Sequence, residues 1–200
     1  MQRPSFLDDV RPRASRELLI AALEAFAARG YHATTTRDIA QRAGLSPAGV
    51  YVHYPSKAHL LSELSRAGHE AALRVTEAAL APGGDPVERL ERFVQVFATW
   101  HAENHAIARV VQYELGALPA DGYAEVTALR RRIELLVQHE LRNGCSSGAF
   151  EIEDVPGVAL AILSLCIDIA RWYTPSQRRR PSAIGSLYAE LALRMVRGRD

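Results

Sequence analysis

The side chains best suited to chemistry lie in the C-terminal half of this chain. His101 and His105 stand four residues apart. If a helix continues through them they share one face, a spacing that can hold a metal ion. The stretch is not His-Glu-x-x-His, however, and Asn104 reads as a helix break or cap, so a structural role is the simpler reading. Asp168, Arg171 and Trp172 end an otherwise apolar segment. The i, i+3 pair reads as a modest salt bridge. With the indole, it also reads as an anion-binding and stacking group at the mouth of a pocket. Cys166 is most simply a small buried hydrophobe, and Cys145 a loop thiol with no evident role. Two cysteines exclude a disulfide framework and a four-Cys zinc site, and reduced cytosolic thiols are the default. No nucleophile stands beside a base and an orienting group. The expectations are therefore no enzyme, no catalytic residue, no metal and no cofactor.

Helices must position these residues. Ala fills 32 of the 200 positions, and with Leu, Arg and Glu it outweighs the strand-favouring residues. The expected fold is all-α with about nine helices. At 48% hydrophobic and 24% charged, the chain can bury a sizeable core. No run of 18 apolar residues occurs. The nearest, 155–170, is interrupted by Pro156, Gly157, Ser164 and Asp168, which suits a buried helix better than a membrane span. The first residues, MQRPSFLDDVRPR, hold no apolar stretch of signal-peptide type. A cytoplasmic protein with no membrane partner is expected.

Local signals place the helices. Leu19, Ala22, Leu23 and Phe26 form one stripe of a helix over 13–29 that Gly30 ends. Thr35-x-x-Asp38 opens a short helix to Ala43, and Gly44 stops it. Ser46 caps a third helix over 47–53 that starts on Pro47 and breaks at Pro55. Ser56 caps a fourth over 57–80. After the 81–86 linker, helices are expected over 86–101, 105–115 and 122–142, the last stopped by Asn143-Gly144 before a 144–148 loop. Two more follow, one capped by Asp154 and running to about 173, and one over 182–197.

The second and third helices, with Gly44-Leu45-Ser46 between them, have the dimensions of a helix-turn-helix. The net charge of the whole chain is only +1, which alone would not suggest DNA. Residues 11–60, however, carry seven basic and three acidic side chains, and the remainder is mildly acidic. The basic excess sits on the helix-turn-helix, as an electrostatic footprint for nucleic acid should. A boundary is expected between residues 1–60 and 61–200.

Five segments carry a resemblance. They are Gly30-Tyr31, Ala33-Thr34-Thr35, Arg37-Asp38-Ile39-Ala40, Ala43-Gly44-Leu45-Ser46 and Val50 through Lys57. Over about residues 14–62 the chain resembles the DNA-binding domain of the TetR family of repressors. The resemblance implies an all-helical homodimer, double-stranded operator DNA as partner, and a divergent C-terminal domain for dimerisation and a small-molecule effector that releases the operator. It also assigns roles. Thr35 caps the second helix and touches phosphate, Tyr51 and His53 contact phosphate, and Lys57 completes a backbone clamp. Such groups position without specifying sequence. Ser46, Pro47, Ala48, Gly49 and Val52 sit where base edges are met, the apolar ones offering contact to thymine methyls. Arg37 and Gln41 add hydrogen bonds. Gly49 departs from the Thr or Ser common in relatives, and Tyr54, where Phe is commoner, reads as packing.

A shorter likeness lies further on. Arg171-Trp172-Tyr173-x-Pro175, with His105-Ala106 and Val110-Val111-x-Tyr113-Glu114, resembles repressors of fatty-acid and sterol-ring degradation, which sense acyl-CoA thioesters. It implies Arg171 and Arg178-Arg179-Arg180 as partners of CoA phosphates and Trp172 as a packing surface. The pocket walls are expected from Phe93, Phe97, Trp100, Tyr113, Leu136 and Cys166. Another hydrophobic effector remains open. So do a small enzyme with an incidental helix-turn-helix and an architectural DNA binder without an effector. Leu160, Ile162, Leu163, Leu165, Ile169, Leu187, Leu191, Leu193 and Met195 are expected to build a four-helix dimer interface.

Overall fold

A computed structural model describes residues 4–197. Among them are nine α-helices, two short 3-10 turns and no strand. The helices are α1 (Arg13–Arg29), α2 (Thr36–Ala43), α3 (Pro47–His53), α4 (Lys57–Ala79), α5 (Pro86–Glu103), α6 (His105–Tyr113), α7 (Ala120–Ser146), α8 (Val155–Trp172) and α9 (Pro181–Val196).

The chain packs as two compact units. One comprises the residues up to Ala71 together with Ala106–Ala128, and the other comprises Ala72–His105 with the residues from Leu129 onward. The boundary expected after residue 60 falls inside the continuous helix α4. In the N-terminal unit α1 buries Leu18, Leu19, Leu23 and Phe26. Ile39 and Ala40 of α2, Val50 of α3 and Leu60, Leu61 and Leu64 of α4 close over them. Ile107, Val110 and Val111 of α6 belong to the same core.

In the C-terminal unit the core holds Leu90, Phe93, Val94 and Phe97 of α5, Val137 and Leu141 of α7, Ile162, Cys166 and Ile169 of α8, and Ile184 and Val196 of α9. Asp85 and Glu88 form a capping box that starts α5, with Pro86 at its first position. The crossing of α9 over α5 depends on Gly185: a Cβ there would run into Thr99 Oγ1 and the Gln95 carbonyl.

Helix α7 corrects one expectation. Asn143-Gly144 does not stop it, and residues 144–146 are helical. Gly144 is a packing glycine: a Cβ there would collide with the buried Phe150 ring. The Gly144 carbonyl instead accepts from the Ala149 and Phe150 amides. The turn after the helix falls to Gly148, at φ 75°. Helix α6 ends at Tyr113 rather than Leu115, and Leu115–Ala117 winds as a 3-10 turn.

The dimer expectation also narrows. Ile162, Leu163 and Ile169 lie in the core of their own unit, and Leu193 packs half-buried against it. Leu160 and Leu165 of α8 and Leu191 and Met195 of α9 point outward. Helix α8 is long and apolar enough to cross a membrane by composition, but one side of it lies in the core.

Candidate nucleic-acid interface

Each boundary of the α2–turn–α3 segment has a local cause. The Thr35 hydroxyl accepts from the Asp38 amide at 3.2 Å, and the Asp38 carboxylate accepts in return from the Thr35 amide at 2.8 Å. The Thr35 hydroxyl also donates to that carboxylate at 2.7 Å. These bonds, with Arg29 at 3.2 Å, hold the Asp38 carboxyl at about 2, below the usual carboxylate range. Gly44 takes the left-handed conformation at φ 70°, which favours a residue without Cβ. Ser46 Oγ accepts from the Gly49 amide at 3.1 Å to start α3. The helix ends where Tyr54 turns extended ahead of Pro55.

The surface this produces is unusual for a soluble protein. Val52 is 80% exposed and Tyr51 55% exposed, with nothing apolar covering them. Ser46, Pro47, Ala48, Arg37 and Gln41 are exposed around them. Gly49 has room for a side chain: a Cβ there would make only ordinary contacts with Ser46 Oγ and Leu45 Cβ. The bare surface at Gly49 is therefore not forced by packing. Tyr51 Oη lies 3.2 Å from Thr36 Oγ1, which ties the exposed face of α3 to the start of α2.

His53 and Lys57 are more constrained than the sequence implied. His53 Nδ1 lies 3.1 Å from Ser15 Oγ on α1, leaving Nε2 as the imidazole nitrogen not used in that bond. The Tyr54 hydroxyl donates to the Ser15 carbonyl, and burial pushes that phenol up to about 12. Tyr54 is thus a packing residue, as expected. The Lys57 ammonium donates to the carbonyls of Tyr31 and Thr34, each at 2.8 Å, instead of projecting as an open clamp.

In the C-terminal unit most of the expected pocket residues come together. Phe93 and Phe97 are buried with ring centroids 5.1 Å apart. Cys166 is in the same core, its thiol pushed up to about 12 by burial, so it is an unreactive hydrophobe. Trp100, Leu136 and Trp172 pack half-buried against that core. Tyr113 departs from the set: it belongs to the N-terminal unit and is exposed. Arg171 grips Asp168 with two parallel bonds, Nε to Oδ1 at 2.7 Å and a terminal nitrogen to Oδ2 at 2.9 Å. That pairing lowers the Asp168 carboxyl. Arg178, Arg179 and Arg180 are exposed. His101 is buried with Nδ1 2.8 Å from the Phe97 carbonyl, and His105 Nδ1 lies 2.9 Å from the Ala102 carbonyl. Each imidazole is thus bonded to its own chain locally, as the structural reading of the pair supposed.

Comparison with known proteins decides the family. Residues 18–64 match the model of the bacterial regulatory proteins of the tetR family, and residues 83–196 match that of the tetracyclin repressor-like C-terminal domain. This chain belongs to the TetR family. It is 31% identical to the HTH-type transcriptional repressor KstR2 of Mycobacterium tuberculosis, over 88% of this chain and 90% of that repressor. The crystal structure of a bacterial regulatory protein in the tetR family from Rhodococcus RHA1 superposes with a TM-score of 0.90 at 41% identity, covering 94% of this chain and 100% of that one. The fold is also that of AibR, solved in complex with isovaleryl coenzyme A and operator DNA, at a TM-score of 0.81 and 20% identity over 89% and 97% of the two chains.

Within this TetR-family chain, sequence reading missed Ser15 and Thr36, which hold His53 and Tyr51. Their partners lie 38 and 15 residues away in sequence, so no local pattern marks them. The one available signal is a serine at the start of α1 that is only 8% exposed.

Proposed function

We propose that this TetR-family regulator is a homodimeric repressor. It reads an operator through α2 and α3 and lets go when a small hydrophobic effector enters the C-terminal unit. The observation that carries the reading is the exposed pair Tyr51 and Val52 on a helix capped at its start and pinned to α1 at its end. An exposed valine has no structural return there. Set against the major groove it gives apolar contact to thymine methyls, while Thr35, Tyr51 and His53 supply phosphate partners. Arg37 and Gln41 on α2, with Ser46, Pro47, Ala48 and Gly49 at the start of α3, complete the surface.

The outward leucines of α8 and α9 support a two-fold interface between copies, which would set two recognition helices about one turn of DNA apart. For the effector, the reading is an acyl-CoA thioester. Trp172 and the Phe93–Phe97 core would hold the acyl part, and Arg171 and the exposed Arg178–Arg180 run would meet phosphates. The likeness to KstR2 and the coenzyme A ligand of AibR support that class. A gel-shift assay with the DNA flanking its own gene tests the repressor. Absence of a sequence-selective shift by folded protein sinks it. Release of a positive shift by acyl-CoAs, and not by free CoA, tests the effector; no release by any of them leaves the family reading and removes the thioester.

A further inference from the structure

Lys57 is the only lysine in the chain and the first residue of α4. A cation there faces the positive end of the helix dipole, a mildly unfavourable place. A negative partner must offset this, and the partners in the structure are carbonyls. The ammonium donates to Tyr31 O and Thr34 O at 2.8 Å, reaches His32 O at 3.5 Å, and sits 4.2 Å from the centre of the Tyr31 ring. An ammonium has three donors. Two are committed at full strength, and the third faces a long contact.

The carbonyls it holds are themselves anchored. Tyr31 is 7% exposed and stands edge-on to Phe26 in the core. The Thr34 hydroxyl donates to Ala25 O and Gly30 O. The turn they form leads straight into Thr35, the N-cap of α2. We infer that Lys57 is a positioning residue: its charge pins the 31–34 turn, and so sets where Thr35 and α2 stand against the duplex, without itself neutralising a phosphate. This role rests on the reading of α2 and α3 as the DNA interface.

Counterion release separates the two roles. Removing a side chain that neutralises a phosphate lowers the slope of log affinity against log salt by about one per contact; removing one that only positions leaves the slope unchanged. The probe is a duplex enriched by the full-length wild-type chain from a random-sequence pool. The variants are Lys57→Met, of similar length without charge or donors, and Lys57→Gln, which keeps N–H donors without charge. At fixed salt Lys57→Met is expected to bind about tenfold more weakly, the scale of losing charge-assisted hydrogen bonds. Its salt slope should be that of wild type. In the free protein, amide exchange at Thr34 and Asp38 should quicken, and Lys57→Gln should recover part of both losses. A slope lower by about one per subunit in either variant overturns the proposal, whatever the exchange does, and so does wild-type affinity in Lys57→Met. Should Lys57→Met fail to fold, the slope of Lys57→Gln decides alone. A wild-type chain that enriches no duplex overturns the DNA reading, and this role with it.

Discussion

Single side chains in the α2–α3 segment serve two ends at once, and their acid behaviour separates them. The Asp38 carboxyl is held at about 2 by the Thr35 hydroxyl and amide, with Arg29 adding to it. A carboxyl depressed in the folded state contributes stability that is present above its ordinary range near 3.8 and is lost as pH falls through about 2. The capping box of α2 is therefore intact at neutral pH. Comparing wild type with Asp38→Asn by urea unfolding across pH 2 to 6 should show a gap that closes at the acid end; a gap independent of pH would contradict this. Ser46→Ala removes the cap of α3 and should lower stability by about 1 kcal/mol in the same measurement. Gly49→Ser, by contrast, should leave stability unchanged within about 0.5 kcal/mol, because that site has room.

At the scale of elements, the legible boundaries are those written locally. The bounds of α2 and α3 follow from Thr35, Asp38, Gly44, Ser46, Pro47 and Pro55, residues that act within one turn of where they stand. The end of α7 was not legible, because what decides it is the ring of Phe150 folding back onto Gly144. An Asn-Gly pair read alone signals a stop; tertiary packing overrides it here. The same limit applies to the interface. Exposure of Tyr51 and Val52 follows from helical periodicity, whereas Ser15 beneath His53 and the carbonyls around Lys57 depend on contacts across 23 to 38 residues. Gly185 is a further case: its neighbours Gln95 and Thr99 lie on another helix. Gly185→Val should drive α9 off α5 and destabilise the C-terminal unit by about 2–3 kcal/mol, read as an earlier thermal transition.

For the whole molecule, the near-neutral net charge of +1 conceals a basic DNA-binding end and a mildly acidic remainder. Operator affinity should therefore fall linearly in log–log terms with salt, despite the overall balance. The outward apolar residues of α8 and α9 make a second whole-molecule prediction. Leu160→Glu with Leu191→Glu places charges on that face, and sedimentation should show monomers with unaltered helical content. A dimer that survives both changes would place the two-fold interface elsewhere.

The central claim, that α2 and α3 meet DNA through an exposed face, is tested most directly by fluorescence anisotropy at moderate salt. Wild type and Tyr51→Ala are titrated against the DNA flanking the gene and against a scrambled duplex of equal length. The account predicts sequence-selective binding by wild type and binding weaker by about tenfold in a Tyr51→Ala protein that melts as wild type does. Equal affinity of wild type for both duplexes, or undiminished binding by Tyr51→Ala, would contradict it.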